Sequence, residues 1–357
     1  MARLALHIFL TACQQRVCPQ DPHKVRRLSA YSLNVSSHTL LRVTMSTRQQ
    51  QPRARYPDNR PRVMDCPEVS QDAFQKLDVT RKVQFTKDRG SLLGEGSYGR
   101  VYKGMYTRSN GQRIAVAIKC LNHDRKGRPK IEERLRRELL TWRRVSAQDN
   151  VSDLLGVCLT REDPPYLVLP FFKHNNLLKY TSQYPNTRLA LAKDIARGLD
   201  HLHGNGVIHG DMKPENVMIS DNGVAQIVDF GVSVIPNLAG FTTVINWNAR
   251  HSAPELLPVA EALPQKPTKE SDIFSLGILL LQLFDGRAHC LPYNHYPLNN
   301  PRDPYDTALI RAIHKGDRPR CEAYSVGRGN RWTVIEACWA HDPRSRPAVG
   351  WVRQMLA

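Results

Sequence analysis

The sequence predicts an α+β fold in which strand patterns precede helical patterns. Short runs rich in β-branched and aromatic residues, a composition typical of strands, occupy 101–103, 114–119 and 166–172. Apolar residues recur at helical spacing through 189–203, and an apolar run fills 273–284. At 357 residues, the chain is long enough for one large two-lobed domain or for two ordinary domains.

The formal net charge of +18 is unevenly distributed along the chain. Residues 1–60 contain ten Lys and Arg but only two acids, so this segment carries +8 and the remainder carries +10. Such a segment suits nucleic acid or an anionic membrane, yet the sequence contains no nucleic-acid-binding signature with interleaved aromatic residues. We interpret the segment as a solvated tail. A basic nucleic-acid-binding protein is a third hypothesis, which removal of residues 1–62 tests.

Residues 1–80 are predicted to form a basic, largely disordered extension. The stretch 49–57 has too little apolar content to offset chain entropy. The apolar run 4–12 resembles a weak signal-peptide core, and the Arg-rich, acid-poor sequence around it also fits a mitochondrial transit peptide. We expect the folded domain to begin near residues 78–83 and to extend over 81–357.

The eight cysteines form no CxxC pair and show no regular spacing. This pattern indicates reduced thiols in a cytoplasmic protein and provides no pair of zinc ligands. No run reaches the roughly 18 apolar residues that a membrane-spanning helix requires. The longest apolar run, 273–284, is therefore interpreted as a buried helix.

A glycine-rich stretch marks the start of the predicted domain, and it consists of Leu93, Gly94, Glu95, Gly96, Ser97, Tyr98 and Gly99. Its GxGxxG spacing alone is shared by dinucleotide-binding folds and ordinary hairpins. A dinucleotide fold would open a helix at the third glycine, but strand propensity continues here through Val101 and Lys103. The pattern favours a β-hairpin flap whose backbone N–H groups approach phosphate groups.

Two polar loops follow the helix predicted at 189–203, which Gly204-Asn205-Gly206 ends. The first reads Ile208-His209-Gly210-Asp211-Met212-Lys213-Pro214-Glu215-Asn216, and the second, thirteen residues later, reads Asp229-Phe230-Gly231. With the glycine-rich stretch and the run Val116-Ala117-Ile118-Lys119, these loops resemble the ATP-binding and catalytic motifs of protein kinases. The resemblance covers about residues 83–356.

Further motifs in the family's order strengthen this resemblance. Ala253-Pro254-Glu255 matches the end of an activation segment, 271–277 matches the start of helix αF, and 338–347 matches the CW…DP…RP segment. A small-molecule kinase of related fold would usually lack the first two. The string 137–142 resembles the tyrosine-kinase-like serine/threonine kinases, notably their expanded fungal members.

The resemblance implies a bilobal protein kinase fold, with a β-rich N-lobe at about residues 81–170 and a helical C-lobe at about 171–357. Arg346 would pair with Glu255 inside the large lobe. That ion pair would be structural.

The resemblance also implies ATP and Mg²⁺ as cofactors. Asp211 would orient the acceptor hydroxyl group and accept its proton, and Lys213 would reach the γ-phosphate. Asn216 and Asp229 would provide the hard oxygen ligands that Mg²⁺ prefers. Lys119 would bind the α- and β-phosphates.

The partner of Lys119 is expected to be a carboxylate on the next helix. The apolar stripe of that helix consists of Ile131, Leu135, Leu139 and Trp142. Glu138 lies beside the stripe, whereas Glu132 and Glu133 lie a turn or two away. We therefore choose Glu138 and keep Glu133 in reserve.

The adenine site is placed only through the resemblance. Leu169 would be the gatekeeper. Backbone groups near Phe171 and Phe172 would bind adenine, because Pro170 has no N–H to donate. The side chains that would sandwich the base are Val101, Ala117 and Met218.

Several residues depart from the family pattern, and they concern the positioning of a peptide. Gly210 stands where many kinases have Arg, Asn248 where serine/threonine kinases usually have Thr, and His251-Ser252 where an aromatic-hydrophobic pair is commoner. The segment 285–305 is longer and richer in Pro and Asn than the usual loop. We interpret it as an idle surface loop, with substrate or partner docking as the alternative.

We predict an ATP- and Mg²⁺-dependent kinase that phosphorylates Ser or Thr of protein substrates, with no specific nucleic acid and no membrane span. Lys213 followed by Pro-Glu-Asn is typical of serine/threonine kinases. The alternative is a nucleotide-binding pseudokinase that acts as a signalling scaffold. Because Gly210 lacks a guanidinium group, phosphorylation at Thr242 or Thr243 is expected to matter little, although Arg250 could substitute in part.

Overall fold

The computed structural model describes nine stretches of the chain, which are 71–96, 99–121, 128–146, 148–160, 163–174, 177–236, 248–258, 264–298 and 306–357. The predictions for residues 1–70 fall outside these stretches. So do those for Ser97, Tyr98, Thr242 and Thr243, and for the side chains of Glu132 and Glu133.

Six described strands form an antiparallel sheet in the N-lobe. They are β1 (Val83–Phe85), β2 (Leu92–Gly96), β3 (Gly99–Thr107), β4 (Arg113–Leu121), β5 (Gly156–Cys158) and β6 (Tyr166–Pro170). Their order is β1-β3-β4-β6-β5, and β2 pairs with β3. The three predicted strands are present, and the run at 166–172 stops as a strand at Pro170, which has no N–H for a ladder bond.

The described helices come mainly after the sheet. They are α1 (Gln71–Lys76), α2 (Arg128–Val145), α3 (Leu177–Gln183), α4 (Arg188–Gly204), α5 (Lys269–Asp285), α6 (Thr307–His314), α7 (Asn330–Cys338) and α8 (Val349–Leu356). A small two-stranded sheet of β7 (Val217–Ile219) and β8 (Ala225–Ile227) follows α4. None of these helices is long and apolar enough to cross a membrane.

Helix α1 lies before the start that the sequence predicts for the folded domain. Phe74, only 8% exposed, belongs to the same hydrophobic core as Trp142 of α2. Val79 N then donates to Val157 O of β5 at 2.9 Å. Residues before the predicted start therefore pack on the core, which the sequence did not indicate because a six-residue helix with one apolar anchor leaves no periodic signal.

Helix α5 runs through the core of the C-lobe. Every residue from Ser271 to Asp285 is buried, which confirms the interpretation of 273–284 as a buried helix. A capping box between Thr268 and Ser271 fixes its start. Gly286, at φ 78°, ends it in the left-handed conformation that glycine adopts without steric cost. A rigid apolar helix is thus available to support the polar loops around it.

The predicted ion pair between Arg346 and Glu255 is present. Nη1 of Arg346 lies 2.6 Å from Oε1 of Glu255, and Nη2 lies 2.9 Å from Oε2. Arg346 also donates to the carbonyl oxygen atoms of Ala340 and Glu270. Because both carboxylate oxygens are engaged and the guanidinium group is buried, this pair ties the short helix Pro254–Leu256 to the end of the chain.

The described part of the predicted surface loop, residues 285–298, is packed against the C-lobe. Tyr293 is fully buried, and Cys290 is 5% exposed. Tyr324 donates its hydroxyl hydrogen to Leu291 O at 3.0 Å. These residues are therefore packed rather than exposed, and the choice between an idle segment and a docking segment stays a prediction. Most of the contacts go to backbone carbonyl groups, which leave no pattern in the side chains.

Candidate functional site

A buried carboxylate of α5 holds the loop that precedes Asp211. Asp272, 1% exposed, accepts hydrogen bonds from the backbone N–H groups of His209 and Gly210, both at 2.8 Å. His203 Nε2 of α4 lies 3.0 Å from the same carboxylate. Gly210 has φ 78°, a conformation that costs other residues steric strain. The backbone on the N-terminal side of Asp211 is therefore anchored to the core.

Asp211 lies in a polar cluster with Lys213 and Asn216. Lys213 Nζ lies 2.6 Å from Asp211 Oδ2. Asn216 Nδ2 donates to the backbone oxygen of Asp211 at 2.7 Å and to Oδ2 at 3.0 Å. The side chains of Asp211 and Lys213 are 15% and 22% exposed, so the carboxylate is oriented yet reachable from solvent. Such a carboxylate can accept a proton from a hydroxyl group placed beside it.

His209 links this cluster to the chain that precedes Asp229. Its Nδ1 accepts from Asp211 N at 3.2 Å, and its Nε2 lies 3.1 Å from the carbonyl oxygen of Val228. Because a carbonyl group only accepts, Nε2 carries the hydrogen and Nδ1 does not. His209 therefore connects the two loops through its two ring nitrogens.

Lys119 of β4 contacts two carboxylates. One is Glu138, its predicted partner, and the other is Asp229, a predicted metal ligand. Lys119 Nζ lies 2.8 Å from Glu138 Oε1 on α2 and 2.6 Å from Asp229 Oδ1. Lys119 is 6% exposed and Glu138 is fully buried. Burial alone lowers the pKa of Lys119, but Asp229 and Glu138 outweigh it and raise the pKa above the ordinary value. Lys119 is therefore a fixed positive charge at neutral pH.

The backbone at Asp229 is left-handed, with φ 66°, which is unusual for a residue other than glycine. The next residue, Phe230, is 1% exposed. Its ring packs edge to face on Trp142 of α2 at 5.1 Å and on His209 at 5.6 Å between ring centroids. Packing of Phe230 against α2 and the loop at 208–216 offsets the strain and keeps the Asp229 carboxylate at Lys119.

Asn216 and Asp229 fit a divalent cation by the chemistry of their donors. Val228 N donates to Asn216 O at 3.0 Å, which brings the two residues together. The amide nitrogen of Asn216 is bonded to Asp211, so its amide oxygen is directed elsewhere. No group of three or more His, Cys, Asp and Glu that could hold a metal occurs among the described residues. The pair thus fits Mg²⁺, which commonly completes its shell with phosphate oxygens and water.

The residues predicted to contact ATP on the sheet share one face of it. Val101 lies opposite Lys119, and Leu169 lies opposite Ala117 in the antiparallel register. Residues directly opposite, or two apart on one strand, point to the same side. Met218 lies on β7 and is half-buried. The side chains of Val101, Ala117 and Leu169 therefore flank Lys119 on that face.

The glycine-rich stretch forms the predicted hairpin. Leu93, Gly94, Glu95 and Gly96 lie in β2, which pairs with β3 from Gly99 onward. A Cβ atom on Gly99 would overlap the carbonyl group of Cys120, so only glycine allows β3 to approach β4 here. In the middle of β3, Lys103 Nζ lies 4.6 Å from the ring centroid of Phe171, and Phe172 follows Phe171 in the chain.

Sequence reasoning missed the supporting residues of the site. Asp272 was matched only as part of the motif 271–277 and was given no role. A carboxylate at the start of a buried helix could have indicated that it binds a neighbouring loop. His203 was given no role, but it is buried against Asp272. Arg250, which could have substituted in part for the missing guanidinium group, is 4% exposed and engaged by backbone carbonyl groups.

Residues 88–356 match the family described as protein kinase domain. The chain belongs to the protein kinase family. The kinase is also similar to characterised relatives. It is 26% identical over 298 residues to the serine/threonine-protein kinase STY17 of Arabidopsis thaliana, a match that covers 82% of this chain and 47% of that protein.

Two further relatives from Arabidopsis thaliana match the kinase. The serine/threonine-protein kinase STY46 is 30% identical over 267 residues, which are 72% of this chain and 41% of that protein. The serine/threonine/tyrosine-protein kinase HT1 is 27% identical over 269 residues, which are 72% and 62% of the two chains. The kinase thus spans less than two thirds of the length of each of these relatives.

The comparisons and the structure confirm the predicted fold class. The kinase has the sheet-containing N-lobe and the helical C-lobe that the resemblance implied. Its relatives place it in the tyrosine-kinase-like group of eukaryotic protein kinases. The more specific likeness to fungal members stays a prediction.

Proposed function

We propose that the kinase transfers the γ-phosphoryl group of ATP to Ser or Thr hydroxyl groups of protein substrates. The observation that carries this proposal is the contact of Lys119 with both Glu138 and Asp229, close to the Asp211 cluster. This contact brings together the N-lobe sheet, helix α2 and the loop at 229–231 around the positive charge of Lys119. Phosphoryl transfer depends mainly on such positioning and on electrostatic stabilisation of the transferring group.

Each residue of the site has a separate role in the reaction. Asp211 orients the acceptor hydroxyl group and receives its proton, while Lys213 places a positive charge beside the transferring oxygens. Lys119 holds the α- and β-phosphates. Asn216 and Asp229 would hold Mg²⁺, which when bound neutralises charge on the phosphates.

The adenine ring is proposed to lie on the sheet face that carries Val101 and Ala117, with Met218 on the opposite side. Leu169 would limit the depth of this site. Backbone groups near Phe171 and Phe172 would bind the adenine edge, since Pro170 cannot donate there. The glycine-rich hairpin, including Ser97 and Tyr98, would cover the phosphates.

Two features support Ser and Thr rather than Tyr as acceptors. Lys213, which follows the style of serine/threonine kinases, lies 2.6 Å from the Asp211 carboxylate. Two of the relatives above are named as serine/threonine-protein kinases. The name of the third includes tyrosine, so tyrosine peptides belong in the test.

Transfer of labelled phosphate from ATP to peptide libraries tests the proposal. Libraries with Ser, Thr or Tyr as the only acceptor are incubated with the purified full chain and Mg²⁺, and the Asp211→Asn variant serves as the blank. We expect label on Ser and Thr peptides. Nucleotide binding without label on any library would instead support the pseudokinase alternative.

Activity is expected to depend little on phosphorylation of the activation segment. Gly210 supplies no guanidinium group, and Arg250 is already engaged by carbonyl oxygens. Phosphatase-treated protein should keep most of its activity. The double variant Thr242→Ala, Thr243→Ala should change the rate by less than about tenfold, equivalent to about 1.4 kcal/mol.

The Gly210→Arg variant distinguishes two explanations for a weak effect of phosphorylation. Either the guanidinium group is missing at position 210, or Thr242 and Thr243 are ordinary loop residues. A Cβ at this position would lie 3.1 Å from Val232 O, and φ is 78°, so the substitution adds strain of its own. Gly210→Ala is therefore the matched control. Phosphatase sensitivity in the arginine variant alone agrees with the prediction, whereas a wild-type enzyme that is inert until phosphorylated at Thr242 or Thr243 contradicts it.

A further inference from the structure

Residues 71–80, which we call the leading segment, precede the N-lobe sheet and bind along its last strand, β5. Val157 N donates to Leu77 O at 2.8 Å, and Val79 N donates to Val157 O at 2.9 Å. Because β5 stands at the end of the strand order, these bonds occupy backbone groups that an edge strand would otherwise leave unpaired. The leading segment is therefore attached to β5 by its backbone.

Gly156 of β5 makes room for the leading segment. Its φ is 154°, and a Cβ atom at this position would lie 2.7 Å from both Leu77 O and Val79 Cγ1. Only glycine allows so close an approach. On the other side of β5, Leu159 N donates to Thr80 Oγ1 at 2.7 Å. The sequence of β5 is thus matched to the segment that binds it.

The leading segment has an apolar anchor in each of two hydrophobic cores. Phe74 of α1 is 8% exposed and belongs to the larger core, and Val79 is 9% exposed and belongs to the smaller core. The adjacent residues Val157 and Cys158 are divided between the same two cores, as neighbours on a strand are. Isolated helices shorter than about 12 residues are marginal in water, so these anchors hold the six-residue helix α1 in place.

The helix that carries Glu138 is fastened to the same region. Leu139 and Trp142 of α2 are 1% exposed and lie in the same core as Phe74. Trp142 Nε1 donates to Ser152 O at 2.8 Å, shortly before β5. The strand that binds the leading segment is therefore continuous with the chain that fixes α2.

The carboxylate of Glu138 depends on the placement of α2. Its Oε1 lies 2.8 Å from Lys119 Nζ. Its Oε2 is buried without a hydrogen-bond partner among the residues that the structure describes. Since one contact alone orients this carboxylate, packing of α2 must bring it to Lys119. A small displacement of α2 would then break the contact.

We propose that Phe74 is a positioning residue for phosphoryl transfer, because the leading segment holds α2 where Glu138 contacts Lys119. The inference rests on the proposed kinase function and deepens it. Phe74 lies outside the proposed ATP and metal sites, so it acts on the reaction only through α2. The leading segment is thus an activating element within the chain itself.

Steady-state kinetics of Phe74→Ala in the full chain test this inference. We expect kcat to fall about tenfold, equivalent to about 1.4 kcal/mol, while KM for the Ser/Thr library peptides stays within about twofold. Phe74→Leu keeps an apolar anchor and should restore most of kcat. Gln75→Ala is the matched control, since Gln75 lies on the same helix and is exposed, and it should keep the wild-type kcat.

A double-mutant cycle with Glu138→Gln separates positioning from a general loss of stability. If Phe74 acts through Glu138, then Phe74→Ala should change kcat by less than about twofold in the Glu138→Gln background. A merely structural role predicts the same tenfold loss in both backgrounds. All rates are measured below the onset of thermal unfolding of each variant. Equal losses in the two backgrounds, or an unchanged kcat in Phe74→Ala, would overturn the inference.

Hydrogen exchange of the α2 amides provides a readout that does not depend on activity. Exchange in α2 should be faster in Phe74→Ala than in the wild type, whereas exchange in α5 should be unchanged. If the wild type transfers no label, the proposed function fails, and unchanged exchange in α2 separately overturns the role of Phe74. If Phe74→Ala does not fold, Thr80→Val decides the matter, because it removes only the acceptor for Leu159 N. It should lower kcat and speed exchange in α2, and wild-type values of both would contradict the inference.

Discussion

Asp211→Asn should lower the turnover number by roughly 10²–10⁴-fold while ATP affinity stays nearly unchanged. The amide can still accept a hydrogen bond from Lys213, which now lies 2.6 Å from the carboxylate. It cannot accept the proton of the hydroxyl group. The loss should therefore fall on kcat, and rates at saturating ATP and peptide measure it.

Glu215→Gln is the control for this variant. Glu215 lies in the same loop and is exposed, so removal of its charge should leave kcat within a few fold. Thermal unfolding of both variants checks that the loop, which Asp272 anchors, is retained. Wild-type turnover by Asp211→Asn would show that another group accepts the proton.

Asp229→Ala should abolish the effect of Mg²⁺ on ATP binding. In the wild type, metal and nucleotide should tighten each other's binding by roughly 5- to 150-fold, the range typical of linked sites. The variant loses the main carboxylate ligand. Lys119 keeps its contact with Glu138 at 2.8 Å, so ATP binding without metal should persist. ATP titrations with and without Mg²⁺ measure the difference.

Asp221→Ala is a matched control, because Asp221 is exposed and pairs only with Lys173 at 2.9 Å among the contacts described. It should retain the full metal effect. If added Mg²⁺ still tightens ATP in Asp229→Ala, the proposed metal ligand is elsewhere.

The sequence was sufficient where a function requires a particular side chain at a particular spacing. Glu138 could be chosen over its neighbours because the apolar stripe of α2 fixes which positions face the sheet. The structure brings it to Lys119. Likewise, Asp211, Lys213 and Asn216 could be grouped because they lie within one short loop.

The sequence was insufficient where backbone groups make the contact. Arg250 binds four carbonyl oxygens, and every residue type has a carbonyl group, so no letter in 290–298 predicts the partner. Phe74 was missed for a related reason, since one apolar residue in a short helix shows no period. Both contacts depend on long-range packing.

Asp272 also restrains the motion of the loop at 208–216. The amide hydrogens of His209 and Gly210 are bonded to a carboxylate that is itself 1% exposed. They can exchange with solvent only when this part of the C-lobe opens, so their exchange free energy belongs to the core rather than to surface loops. The loop at 208–216 is thus, on the timescale of hydrogen exchange, an extension of α5.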